Sequence, residues 1–185
     1  MSSSAFSFIP ICSSLLLFLF VFHGVNGLDL INETCKEASQ NQPKINYDFC
    51  VASLRSAPGS NSTTTDLQQL GVIATKLTLE NATYILSHIN NLLKDQNGDL
   101  TVKKQLEICL RLYTDARTYL QQAIGDIKSE DFFNAIKELS TVMDSSSTCE
   151  DGFNKEKIFV SPLEKQTNDF YQLAAVALQI TKYLN

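Results

Sequence analysis

The chain has 185 residues, 44% of them hydrophobic, and a formal net charge of −5 from 15 basic and 20 acidic side chains. That length supports one core, and an acidic balance with no Lys/Arg stripe argues against capture of a phosphate backbone, so nucleic acid is not an expected partner. Five cysteines against two histidines make disulfides, not metal or catalytic chemistry, the pattern to follow.

Residues 1–27 contain no Lys, Arg, Asp or Glu, and Leu15 to Phe22 form an apolar run too short to cross a bilayer core of about 30 Å. This segment reads as a signal peptide, with Val25 and Gly27 small enough to flank a cleavage site and a mature start near Leu28. No membrane association is expected after cleavage. Removal takes Cys12 with it and leaves Cys35, Cys50, Cys109 and Cys149, an even count in an oxidising compartment. Three connectivities are open to four cysteines; the short separation of Cys35 and Cys50 favours a local bridge there, which leaves Cys109 with Cys149. Acceptor sequons for N-linked glycan begin at Asn32, Asn61 and Asn81, and Asn61 is the one in a polar loop.

In chain order, residues 28–40 and 46–56 read as two short helices around Pro43, a hairpin stapled by Cys35–Cys50. Helices this short are marginal alone, so the staple and packing on the main body must hold them. Residues 57–64 break helix on composition. A long helix is expected from Thr65, with Thr65 and Gln68 as a capping box and Leu67, Leu70, Ala74, Leu77, Asn81, Tyr84, His88 and Leu92 as its seam. It ends at Asp95-Gln96-Asn97-Gly98. The next helix has the clearest stripe: Val102, Leu106, Cys109, Tyr113, Ala116, Leu120, Ala123 and Ile127 alternate steps of four and three. Ser129 is expected to cap the third bundle helix, which buries Phe132, Ile136, Leu139 and Met143 and runs out near Thr148 into a polar link. Ser161, Pro162 and Glu164 combine an N-cap, a proline at the first helical position and a capping-box acid; Leu163, Thr167, Phe170, Ala174, Ala177, Thr181 and Leu184 then form the last seam. The expected fold is all-α: an antiparallel up-and-down four-helix bundle over 65–184, preceded by the disulfide-stapled hairpin, in one domain over 28–185.

Catalytic patterns do not emerge from these residues, and no metal or cofactor is expected. His88 stands alone on its helix, without further ligands at metal-binding spacing. Asp95 to Asp99 opens like a calcium loop, but Leu100 and Leu106 stand where that loop needs Gly and Glu. Glu150 and Asp151 are adjacent on the polar link, where side chains diverge and are solvated. The apolar run Leu173 to Ile180 is too short for a membrane span and fits core packing.

The leader, the hairpin with Tyr47-Asp48-Phe49-Cys50-Val51-Ala52-Ser53-Leu54, the cysteine in the second bundle helix and Cys149-Glu150-Asp151-Gly152-Phe153 together resemble the plant invertase and pectin methylesterase inhibitor family. Within it, residues 128–133, 149–153 and 158–162 are most similar to an invertase-inhibitor group that includes pollen allergens. The resemblance implies a secreted, monomeric protein that forms a one-to-one complex with a cell-wall invertase or a pectin methylesterase and occludes its active-site cleft. It also implies the two bridges already reasoned from spacing. Invertase-directed members carry Pro-Lys-Phe near the start of the third bundle helix; the matching positions are Asp131, Phe132 and Phe133, of which only Phe133 agrees. Phe132 falls on the Ile136, Leu139, Met143 stripe, while Phe133, about 100° away around the helix, is expected to be the exposed contact residue. Two other readings use the same fold: a secreted pollen or cell-wall protein that no longer inhibits, and a binder of a small apolar ligand between the helices.

Overall fold

The computed structural model describes residues 27–60, 66–95, 98–155 and 160–185. The expected leader lies outside the described residues except for Gly27, which begins the first helix. Six helices follow in order: α1 Gly27–Asn41, α2 Tyr47–Ser56, α3 Leu67–Leu93, α4 Leu100–Lys128, α5 Phe132–Lys155 and α6 Glu164–Leu184. There is no strand among the described residues.

Helices α3 to α6 close a ring in which each packs on its two sequence neighbours and α6 returns to α3. Such pairing with short connections is the up-and-down bundle. The α4 stripe is buried as its spacing dictates, from Leu106 and Cys109 through Tyr113, Ala116, Leu120 and Ala123 to Ile127. Tyr113 meets Phe170 edge to face across the bundle, with centroids 5.0 Å apart. Gly71 brings α3 close to α6: a Cβ there would stand 3.2 Å from Ile180 Cγ2 and 3.7 Å from Leu184 Cδ1.

The hairpin α1–α2 lies on the outer side of α6. Asn46 N–H donates to Gln172 Oε1 at 2.8 Å, and Asn41 Nδ2 donates to the Tyr183 hydroxyl at 3.0 Å. Covered on both sides, α6 buries every residue from Gln172 to Leu178, so the apolar run at the C-terminus is core. Both disulfides are buried. Cys35–Cys50 joins α1 to α2 across 5.7 Å between Cα atoms, and Cys109–Cys149 joins α4 to α5 across 5.0 Å.

Several boundaries differ from the sequence expectation. Thr65 lies outside the described residues, and α3 starts after Asp66, whose carboxylate accepts from Gln68 N–H at 2.9 Å. An acid there satisfies an orphan amide and also complements the positive helix end. Leu70 and Ala74 of the expected α3 seam are buried, but beyond them the buried line runs through Thr78, Ala82, Ile85, Leu86 and Ile89, and Tyr84 is 58% exposed. With apolar residues on several flanks of α3, two paths of steps of three and four exist, and past Ala74 the expectation followed the outer one. The third bundle helix does not run out near Thr148. Instead α5 continues through Cys149, Glu150 and Asp151 to Lys155, with Ser145 Oγ donating to Thr141 O at 3.0 Å and Ser146 Oγ to Met143 O at 2.8 Å. These hydroxyls bond back along the helix, so a serine run that reads as a break is accommodated inside it. At α6, Ser161 Oγ accepts from Leu163 N–H at 3.2 Å, but this forms a turn, and the helix begins at Glu164 without a side-chain cap.

Candidate functional site

The corner between α4 and α5 places the candidate residues. Ser129 does not start α5; it ends α4, with its hydroxyl donating to Gly125 O at 3.1 Å and Asp126 O at 3.2 Å. Glu130 follows at φ +64°, Glu130 N–H reaches Ile127 O at 3.3 Å, and Asp131 N–H reaches Asp126 O at 2.9 Å. This pair of bonds around a left-handed residue is a Schellman closure, which satisfies the last carbonyls of α4 and turns the chain sharply. Asp131 then caps α5: its carboxylate accepts from Asn134 N–H at 3.2 Å and from Asn134 Nδ2 at 2.8 Å. Gln68 Nε2 donates to Ile127 O at 2.7 Å and ties α3 to the same corner.

The three candidates therefore have different environments. Asp131 is committed to its cap. Phe132 is half-buried against the core, and Phe133, on the first turn of α5, is 74% exposed. A phenyl ring presented to solvent on a doubly closed corner is the kind of rigid anchor that partner surfaces receive.

A left-handed conformation costs an L-residue roughly 1–2 kcal/mol, whereas glycine adopts it freely but surrenders about 0.5–1 kcal/mol of extra chain entropy. Glu130→Gly is therefore expected to stabilise the fold by about 0.5–1 kcal/mol, read as a thermal midpoint raised by about 1–4 °C. A lower midpoint would show that the Glu130 side chain makes a contact worth more than the strain.

Carboxylates crowd the α4 side of this corner. Glu138 Oε2 is buried, and no donor among the described residues reaches it. Burial first, then the charge of Asp126, a proton shared with Asp126 and the charge of Asp131 push the Glu138 carboxyl from 4.5 up to about 7, with Lys137 partly opposing. A raised folded-state pKa for an acid means that the neutral form is favoured in the fold. No penalty exists below the ordinary value, and stability is lost as pH rises from about 4.5 to about 7. Thermal midpoints of the native chain should fall across that window, and Glu138→Gln should flatten the fall. An equally steep profile in the variant would place the cause elsewhere.

His88 lies parallel to Tyr84, with ring centroids 6.2 Å apart, and no group of His, Cys, Asp or Glu among the described residues is arranged to hold a metal ion. Glu150 has a role that its sequence setting does not suggest. From α5 it accepts Thr167 Oγ1 at 2.7 Å and Ser161 Oγ at 3.1 Å, and so fastens the start of α6. Of the sequons, Asn61 lies outside the described residues. Asn32 Oδ1 accepts from Arg55 at 3.0 Å beside a buried Thr34, and Asn81 Oδ1 is buried within α3. No helix among the described residues is long and apolar enough to cross a membrane.

Comparison with known proteins adds four findings. The model of the family described as plant invertase/pectin methylesterase inhibitor matches residues 29–180. The chain is 43% identical over 166 residues to a Platanus acerifolia protein named "Putative invertase inhibitor", covering 90% of this chain and 91% of that one. It is 33% identical over 172 residues to "Pectinesterase inhibitor 12" of Arabidopsis thaliana, covering 92% and 97%. The crystal structure of a mutant form of a pectin methylesterase inhibitor from Arabidopsis shares the fold, with a TM-score of 0.67 at 24% identity over 80% of this chain and 97% of that one.

Proposed function

The chain belongs to the plant invertase/pectin methylesterase inhibitor family, whose members inhibit enzymes rather than act as them, and from that premise we propose that it is a secreted inhibitor occluding the active-site cleft of a cell-wall invertase or pectin methylesterase. The observation that carries the mode of contact is Phe133, three-quarters exposed on a corner that Ser129, Glu130 and Asp131 hold rigid. A monomer meets one enzyme molecule, with the ring entering the cleft and the flanking helix ends covering its rim. Residues 1–27 are removed as a leader. The inhibitor domain spans 28–185, with hairpin 28–56 and bundle 65–184, and acts in the apoplast.

Glycan is proposed at Asn61. Asn32 and Asn81 are poor carriers once folded, because one amide is bonded to Arg55 and the other has its oxygen buried in α3. Tyr113, Leu120, Ile127, Leu139 and Phe170 are fully buried along the bundle seams, which favours the inhibitor reading over an apolar ligand held between helices.

Titration decides the function. Purified mature chain at increasing molar ratio should abolish the activity of one of the two enzyme classes with an end point near one to one, at mildly acid pH. Full activity of both enzymes at a tenfold excess of the chain would overturn the proposal and favour a family member that has lost inhibition.

A further inference from the structure

Gln105 and Gly152 meet beside the Cys109–Cys149 bridge. Gln105 stands one turn before Cys109 on α4, and Gly152 follows Cys149 within the next turn of α5. The Gln105 carboxamide reaches across between the two helices: Nε2 donates to Cys149 O at 3.0 Å and rests 3.8 Å from Cys109 Sγ. Its place exists because residue 152 has no side chain. A Cβ built on Gly152 would overlap Nε2, Cδ and Oε1 of Gln105 together, so this is an approach that glycine alone permits. Cys109 and Cys149 are completely buried, whereas Gln105 and Gly152 are both half-buried. On this flank the carboxamide is therefore the layer between solvent and the Cys109 sulfur.

A disulfide is cleaved by a thiolate that reaches one of its sulfurs, so access sets the rate as much as driving force does. In reduction by a dithiol, one thiolate of the reagent bonds to a cysteine Sγ, the S–S bond of the bridge breaks, and the other cysteine leaves as a thiolate. The second thiolate of the reagent then attacks the mixed disulfide, closes the reagent's own S–S bond and releases the first cysteine. The bridge gains two electrons, the dithiol loses them, and the cysteine thiolates take up protons from water. Swinging the Gln105 carboxamide away from Cys109 Sγ breaks its bond to Cys149 O, so the bonded geometry holds the cover shut. The loop closed by the bridge contains the whole α4–α5 corner, and the cover thereby guards the frame on which Phe133 stands.

We infer that Gln105, seated in the gap at Gly152, is a cover that makes the Cys109–Cys149 bridge kinetically resistant to dithiol reductants in the folded chain. The inference stands whether or not the chain inhibits an enzyme.

The test is timed reduction of the intact mature chain by dithiothreitol, with the freed thiols alkylated and each bridge followed by peptide mass spectrometry, in water and in urea below the unfolding transition. In the native chain Cys109–Cys149 should open slowly, at a rate that climbs with urea, because surface must be exposed before the reagent enters. Gln105→Ala should be reduced at this bridge at least about tenfold faster and almost independently of urea, with the Cys35–Cys50 rate unchanged within a factor of two. Gly152→Ala should lower the thermal midpoint of the native chain, and much less so when Gln105 is already alanine, because the carboxamide it displaces is then absent. A Cys109–Cys149 rate in Gln105→Ala within a factor of two of the native one overturns the inference. So does a faster rate that keeps the native urea dependence, which would mean a loosened fold, or a midpoint cost of Gly152→Ala that is the same in both backgrounds.

Discussion

Replacing Cys109 and Cys149 together by alanine is expected to destabilise the chain by about 4 kcal/mol, the loop-entropy value for their 40-residue separation. In thermal unfolding this corresponds to a midpoint lowered by about 8–16 °C for a domain of this size. The bridge joins α4 to α5 at their completely buried faces, so the unfolded chain regains freedom over a segment that includes the whole α4–α5 corner. Cys35–Cys50 closes a shorter loop of 15 residues, worth about 3 kcal/mol by the same relation, and it sits in a hairpin that contacts the body chiefly through α6. Its loss should therefore appear first as local opening, with faster amide exchange in α1 and α2 while α3 to α5 stay protected. Unfolding midpoints of the two double variants, with exchange read by segment, check both expectations. A Cys109/Cys149 variant that melts within about 2 °C of the native chain would show that bundle packing alone holds α4 against α5.

The difference between what was legible in the chain and what was not lies in how far each feature reaches. In α4 one stripe keeps steps of four and three along the whole helix, the off-stripe Ile108 and Tyr119 stay exposed, and seven of the eight expected residues are buried. α3 offers Leu79, Ile85, Leu86 and Ile89 alongside Leu77 and Tyr84; periodicity alone does not choose between the two paths, and the choice is made by α4 and α6, which pack on either side. The serine run in α5 reads as a break because isolated hydroxyls compete for backbone groups, yet here Ser145 and Ser146 bond back to carbonyls of their own helix. At the candidate site, Phe133 was legible from its angle around the helix. The Schellman closure was not, since its left-handed position is occupied by Glu130 where glycine would have announced it. Glu138, seven residues from Asp131, meets Asp126 only because the corner folds α5 back along α4.

Phe133→Ala is expected to weaken inhibition about 30-fold while leaving the fold unchanged. The ring is 74% exposed in the free chain, so truncation removes little buried contact and should alter stability by no more than about 0.5 kcal/mol. Bound in an enzyme cleft, the same ring would lose on the order of 100–150 Å² of apolar surface to the partner, a gain of about 3 kcal/mol. Fixing the side chain and the partner groups around it offsets part of this, and about 2 kcal/mol remains, which is the usual size of an aromatic hot spot. The corner determines that the remainder is not smaller. Ser129, the left-handed Glu130 and the Asp131 cap fix the backbone of the first turn of α5 before any partner arrives, so little ordering cost is left for the complex. Phe132→Ala separates the contributions. Its ring is half-buried against the core, so that variant should lose stability and affect inhibition only as far as the corner loosens. Inhibition constants for the two variants, measured against whichever enzyme the native chain inhibits, give the comparison. A Phe133→Ala chain as potent as the native one within a factor of two would remove the ring from the contact and leave the helix faces beside the corner to carry it.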